Sequence, residues 1–233
     1  MPKDTGDGRG RRASDRGRYG RLNRERVLAT ALEVVDRDGL SGLSMRKLGA
    51  ELGVEAMALY RYAPSKDALL DGLVEAFWQE LHEELDQAPA DTTDPAQWRR
   101  ELHRIALATH RVALRHPHVV PLLATRMLST PLARRPLLVL RGDERVLALL
   151  YDAGLGERTA VEIHRTFTAW LLGYLLVELR AMDDEPGEPD PAFRLGLHRM
   201  PAAELPRLRA TAVAMAGRGG PEGLAAGLDA LLG

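Results

Sequence analysis

Residues Ser44 to Tyr62 read SMRKLGAELGVEAMALYRY, and the rest of the chain is understood from this stretch outward. Met45, Leu48, Gly49 and Leu52 recur at helical spacing, so a first short helix keeps one face inward and shows Arg46, Lys47 and Glu51 to water. Gly53 stands where a helix end favours a left-handed residue, and Val54 is the apolar plug on which a second helix folds back. That second helix is predicted over Glu55 to Tyr62, about 12 Å long at about 1.5 Å per residue. A rod of that size fits a major groove about 12 Å wide; in such a pair the second helix reads base edges while the first crosses the sugar-phosphate chain. An ordinary helical hairpin with glycine in its bend has the same spacing, so the turn alone leaves both readings open.

The flanks add to the pattern. From Asn23, an N-cap residue, Val27, Leu28, Ala31, Leu32 and Val35 repeat at helical intervals until Gly39, a stop signal, and Ser41-Gly42 leads into the pair. Behind the pair, Ala63-Pro64 ends the second helix because a residue before proline avoids the α region. Ser65 then caps a long helix striped by Leu69, Leu70, Leu73, Phe77, Leu81 and Leu85. Residues 1–19 are rich in Gly, Arg and Asp with almost nothing to bury, and are expected to be a disordered basic leader. A reading domain is therefore placed at residues 20–66 and a larger helical domain at 67–233. A connecting helix over 66–86 and a linker at Gln87 to Thr93 join them.

Charge is divided accordingly. Met1 to Arg26 holds nine Lys or Arg against four Asp or Glu, whereas Asp67 to Gly233 holds eighteen against twenty-four, so the net charge of -1 conceals a basic end beside the reading pair. That polarity suits one end meeting phosphates, although a solvated leader has the same composition. The absence of cysteine excludes disulfides and thiolate chemistry and fits a reducing cytoplasm. The longest apolar stretch, Phe167 to Val177, is too short to span about 30 Å of hydrocarbon, so no membrane partner is expected.

The second half reads as further helices. Asp94-Pro95 opens one in which Trp98, Leu102, Ile105, Thr109 and Val112 share a face as far as Arg115, and His116-Pro117 stops it. Residues 118–128 are apolar but interrupted by Pro121, a short or bent helix at best. Leu137 to Ala153, Glu157 to Met182, Pro206 to Ala216 and Pro221 to Leu232 complete the series, with an acidic, proline-rich loop from Asp183 to Pro191. The class is all-α, with about ten helices. No phosphate loop, nucleophile elbow or His-Glu-x-x-His occurs, so no catalytic residue and no cofactor is expected. His103 and His110, or His116 and His118, lack a carboxylate at metal-ligand spacing, and no metal site is assigned.

Leu43, Ser44, Arg46, Lys47 and Leu48, then Leu52-Gly53-Val54, Leu59 to Tyr62 and Lys66 to Asp71 together resemble the DNA-binding domain of the TetR family of bacterial transcriptional regulators. The resemblance implies that Ser44 caps its helix and meets a phosphate and that Arg46 reaches a base edge. It places Ala56, Met57, Ala58, Tyr60 and Arg61 on the recognition helix and makes Tyr60, Tyr62 and Lys66 phosphate contacts. Ala56 and Ala58 are short where the tetracycline repressor subgroup has longer polar side chains, which implies a different operator. Family dimers pair their last long helices, and here Leu171, Leu172, Leu175, Leu176 and Leu179, with Leu224, Leu228, Leu231 and Leu232, are the residues expected to pair chains.

Residues from Trp98 to Leu232 resemble the ligand-binding domain of that subgroup through Ala124-Thr125-Arg126, Gly173 and Leu205-Pro206. His82 matches a histidine that touches the drug there. The chain departs from the subgroup at Ile105, in place of an amide, and at Leu122 or Leu123, in place of a magnesium-binding histidine. The expectation is a small hydrophobic effector contacted by His82, Trp98, Leu102, Ile105, Thr109, Arg126 and Trp170, and a homodimeric repressor that leaves a palindromic double-stranded DNA operator when it binds. The competing class is a helical-bundle small-molecule carrier or enzyme that does not bind DNA.

Overall fold

The computed structural model describes residues 22–87, 97–179, 189–217 and 219–233. Among them eleven α-helices are joined by turns and short 3-10 segments, with no strand, which is the all-α architecture expected. The leader 1–19, most of the Gln87 to Thr93 linker, the Asp94-Pro95 cap and most of the acidic loop lie outside the described residues. The chain divides into two compact units, one closing at Leu73 and the other running Val74–Gly233.

In the first unit α1 (Arg24–Gly42) opens on Asn23, whose side chain accepts the Arg26 N–H at 2.8 Å, and it buries Val27, Leu28, Ala31, Val34 and Val35. Helical dihedrals break at Gly39 (φ 72°, ψ 173°), where the stop was expected, and winding resumes to Gly42. α2 (Met45–Leu52) begins at Ser44, whose Oγ accepts the Lys47 N–H at 3.2 Å, a cap that contributes about 1 kcal/mol. It ends at Gly53 in the left-handed region (φ 67°, ψ 31°). α3 (Ala56–Leu59) follows, and then α4 (Lys66–Gln87), whose Ala68 N–H is held by Ser65 Oγ at 3.0 Å. Leu69 and Leu73 of α4 are fully buried, each stabilising the unit by about 1.5–3 kcal/mol.

Two ion-pair links fix α2 against α1: Lys47 Nζ lies 2.9 Å from Asp38 Oδ2, and Arg37 Nη2 lies 2.5 Å from Glu51 Oε1. The Lys47 hydrogen bond draws the Asp38 carboxyl below its ordinary pKa, partial desolvation notwithstanding.

The second unit contains the remainder of α4 with α5 (Trp98–Arg115), α6 (Val120–Ser129), α7 (Leu137–Asp152), α8 (Glu157–Glu178), α9 (Pro191–Arg194), α10 (Pro206–Ala216) and α11 (Gly220–Leu232). α5 packs on α7, α8 and α11, and α8 packs on α6, α7 and α11. Phe77, Leu81, Leu102, Val112, Leu123, Leu150, Leu175, Leu224 and Leu228 form the core. Arg111 and Arg115 reach from α5 to Glu84 of α4 at 2.5 and 2.8 Å, and Arg115 and His116 reach Glu80 at 2.5 and 2.6 Å.

Three expectations about this unit change. Pro121 falls in the first turn of α6, where its missing N–H has no intrahelical acceptor, so a ten-residue helix forms over it. α8 stops at Glu178 instead of Met182, and the Glu178 carboxylate accepts the Gly219 and Gly220 N–H groups at 3.0 and 3.1 Å at the start of α11. α9 and a 3-10 turn over Leu197–Arg199 occupy a stretch in which no helix was expected.

Candidate nucleic-acid interface and effector cavity

The bend between α2 and α3 is very close. A Cβ on Gly49 would lie 2.8 Å from the Val54 carbonyl oxygen, so only glycine lets the turn sit down on α2. The α-helical part of the second element is four residues, Ala56–Leu59, not the eight expected over Glu55 to Tyr62. The reason is local: Glu55 makes no side-chain cap, and after Leu59 the chain tightens into i to i+3 turns, with the Tyr62 N–H on the Leu59 carbonyl at 2.8 Å, ahead of Pro64.

Leu59 is fully buried and Ala56 half-buried, which roots this element in the unit. Met57, Ala58, Tyr60 and Arg61 are exposed, and Met57 is 77% exposed. Ser44, Arg46 and Lys66 are exposed as well, and among the described residues no ion pair holds Arg46, Arg61 or Lys66. Tyr62 stands apart: it is half-buried, and its hydroxyl donates to the Leu22 carbonyl at 2.8 Å, tying the end of the pair to the start of α1. A phosphate could therefore reach that oxygen only by replacing this bond.

The second unit encloses an apolar cavity of about 60 Å³ between α4, α5, α7 and α8. Of the residues expected to contact an effector, His82, Ile105 and Thr109 line it. Leu102, Trp98, Arg126 and Trp170 do not. Leu102 is fully buried among other core residues, and Trp98 sits at the start of α5 with Arg99 over its ring at 4.9 Å. Arg126 is half-buried on α6. Trp170 is half-buried on α8 and rests against α11, where a Cβ on Gly227 would lie 3.1 Å from its Cζ2, and its rim borders a shallow open groove with Glu162, Arg165, Thr166 and Ala169.

Residues not singled out from sequence complete the cavity: Trp78, Asp143, Arg145, His164, Phe167 and Thr168 carry its polar and aromatic character. Helical spacing alone would have placed Trp78 and His82 on one side of α4, four residues apart, with ring centroids now 5.9 Å apart. His82 Nε2 bonds the Leu138 carbonyl at 2.8 Å, and Thr109 Oγ1 donates to the Ile105 carbonyl at 2.7 Å. The histidines weighed as metal ligands go separate ways: His103 to Asp229 at 2.9 Å, His116 to Glu80, and His110 into the core.

The leucines expected to pair chains are turned inward in good part. Leu171, Leu175, Leu224 and Leu228 are buried within the unit, whereas Gly173, Val177 and Leu231 are exposed.

These elements have known counterparts. The family of bacterial regulatory proteins designated tetR matches residues 27–73, and the tetracyclin repressor-like C-terminal domain matches residues 89–232. The chain belongs to the TetR family. It is 33% identical over 176 residues to the HTH-type transcriptional repressor DrrR1 of Streptomyces coeruleorubidus, covering 76% of this chain and 60% of that protein. It is 30% identical over 157 residues to an HTH-type transcriptional regulator of Saccharopolyspora erythraea, covering 67% and 61%. The chain thus spans about three fifths of the length of either relative. Among solved structures it is similar to the Streptomyces coelicolor TetR family protein ActR in complex with (S)-DNPA, at a TM-score of 0.64 and 25% identity, covering 92% of this chain and 100% of that one.

TetR family membership raises the magnesium-chelated drug of the tetracycline repressors, and the residues do not fit it. Leu123 and Ile105 present hydrocarbon to the cavity at the departures noted in the sequence, and among the described residues no three His, Asp or Glu side chains converge as metal ligands.

Proposed function

We propose that this TetR family protein is a cytoplasmic, homodimeric, ligand-responsive repressor. In this reading it binds a palindromic double-stranded DNA operator and leaves it when a small, largely hydrophobic effector enters the cavity of the second unit. The observation that carries the reading is Met57, three-quarters exposed on a helix whose neighbour Leu59 is wholly buried. A large apolar side chain held out beside unpaired Arg46, Arg61 and Lys66 suits thymine methyls and phosphates better than it suits water. Both curated relatives are named as transcriptional regulators, one of them a repressor.

The roles follow from position. Ser44, Tyr60 and Lys66 hold the backbone, joined by Tyr62 where a phosphate replaces the Leu22 carbonyl on its hydroxyl, Arg46 and Arg61 reach base edges, and Ala56, Met57 and Ala58 contact methyl groups. The reading domain is residues 20–66 and the effector and pairing domain 67–233, with α4 shared. Phe77, Trp78, Leu81 and His82 of α4 wall the cavity, while Leu69 and Leu73 of the same helix belong to the core of the reading unit. An effector that displaces the first set moves the second, and coupling of about 1–3 kcal/mol changes operator affinity by about 5- to 150-fold.

The test is a fluorescence-anisotropy titration of duplexes tiled across the DNA that adjoins the protein's own coding sequence. One palindromic site is expected to bind at least about a thousandfold more tightly than the rest at physiological salt. Equal affinity for every duplex, or none for any, sinks the repressor reading and favours a helical-bundle carrier.

A further inference from the structure

We infer that Met57 is an oxidation site through which hydroperoxides weaken operator binding. This rests on the repressor reading above and adds a chemical control that acts on the reading helix itself.

The chain has seven methionines and no cysteine, so its sulfur chemistry with two-electron oxidants belongs to thioethers. Four methionine side chains fall among the described residues, and their surroundings differ. Met45 and Met200 are half-buried. Met215 is 62% exposed, but Thr211 Oγ1 donates to its Sδ at 3.6 Å and so engages a lone pair that attack on an oxidant requires. Met57 is more exposed still, stands beside the short, exposed Ala58, and has no hydrogen bond to its sulfur. Of the four it is the thioether that a dissolved oxidant reaches first.

The reaction needs no other group of the protein. The Sδ lone pair attacks one oxygen of the hydroperoxide, an S–O bond forms as the O–O bond breaks, and the hydroperoxide proton passes to the departing oxygen. Sulfur is oxidised by two electrons to the sulfoxide and the hydroperoxide is reduced to an alcohol, or to water where it is hydrogen peroxide.

Position turns this change into a loss of binding. Leu59 and Ala56 root α3 in the first unit, so Met57 cannot withdraw its altered end into the core. The sulfoxide oxygen is a hydrogen-bond acceptor. A thymine methyl offers it nothing, phosphate oxygens and the guanine edge are acceptors too, and closing the interface strips it of water. The linkage runs both ways: oxidised protein holds the operator less tightly, and protein on the operator has Met57 covered and is oxidised more slowly.

The experiment treats the full chain with hydrogen peroxide, follows each methionine-containing peptide by mass spectrometry, and measures anisotropy on the palindromic duplex. Met57 is expected to gain oxygen about fivefold or more faster than Met45 or Met200. Saturating duplex should slow Met57 and leave Met215 unchanged. Protein oxidised at Met57 should bind the duplex about tenfold or more weakly, and methionine sulfoxide reductases acting on both sulfoxide epimers should restore it. Met57→Leu should make the ratio of treated to untreated affinity about one, whatever its own starting affinity, while Met215→Leu keeps the parent ratio. Met57→Gln, polar and of similar length, should bind as the oxidised protein does. Oxidation of Met57 no faster than the half-buried methionines, unchanged binding once Met57 carries oxygen, or sensitivity that survives Met57→Leu would overturn the proposal with the repressor reading intact. Untreated protein that binds no duplex specifically removes both.

Discussion

At Gly49 a methyl group would meet the Val54 oxygen at 2.8 Å and the Ala56 amide nitrogen at 3.2 Å, both backbone atoms that cannot rotate away. Gly49→Ala therefore pushes α3 off α2, at an expected cost of about 1–3 kcal/mol in thermal unfolding. Because the displaced part is the proposed reading helix, specific operator affinity should fall further than stability does when both are measured below the melting temperature. Retention of full operator affinity would mean that the spacing of the pair does not matter. Arg46 and Lys66 are both exposed cations, and the roles proposed for them differ. Arg46→Ala should relax discrimination at one base pair by about 1–3 kcal/mol, whereas Lys66→Ala should weaken all sequences alike and reduce the salt slope by about 1. A binding matrix over single-base operator variants at several salt concentrations distinguishes them, and equal loss of specificity from both would contradict the assignment.

Among the described residues, three Arg–Glu contacts join α4 and α5. Partial burial pushes the Glu84 carboxyl up, but hydrogen bonds from Arg115 and Arg111 outweigh it and leave its pKa below the ordinary value of 4.5. A carboxyl depressed in the folded state contributes stability that is complete above the unfolded pKa and is lost as pH falls through the folded one. Unfolding titrations should therefore show Glu84→Gln destabilising at neutral pH by about 1 kcal/mol or less, since both guanidinium groups are about half exposed. That difference should close as pH drops below about 4.5, and a difference that persists at low pH would assign Glu84 a packing role instead. Helix ends with a side-chain or glycine signal were legible in the sequence: Asn23, Ser44, Gly53 and Ser65 each do what their chemistry predicts. Where the signal was missing the reading failed, as at Glu55, which has no short side chain to cap α3, and at α9, which is too short to show a period.

On the scale of the whole molecule, the helix order and the family were legible, and the cavity was legible only in part. His82, Ile105 and Thr109 lie on faces whose inward direction a stripe reveals, but which neighbouring helix a face meets is a tertiary fact. Arg145 and His164, polar residues on α7 and α8, gave no periodic signal of lying inside, and Trp170, apolar and on a striped helix, packs toward α11 instead of the cavity. The exposed side of α8, at Ala169, Gly173 and Val177, is where the proposed pairing of chains is best tested. Gly173 is exposed there, and among the described residues a Cβ built on it meets nothing within 4 Å, so no packing neighbour there requires a glycine. A second helix lying along Ala169, Gly173 and Val177 supplies one, because small residues let two helix backbones approach within about 8–10 Å. Gly173→Leu should leave the fold of the isolated chain intact, and should even favour α8 by up to about 1 kcal/mol. It should nevertheless convert a sedimenting dimer into a monomer and reduce the operator complex to weak half-site binding. Sedimentation velocity at micromolar concentration reads the first effect and anisotropy on full and half operators the second. A Gly173→Leu protein that remains dimeric and binds the full site unchanged would move the pairing surface off α8.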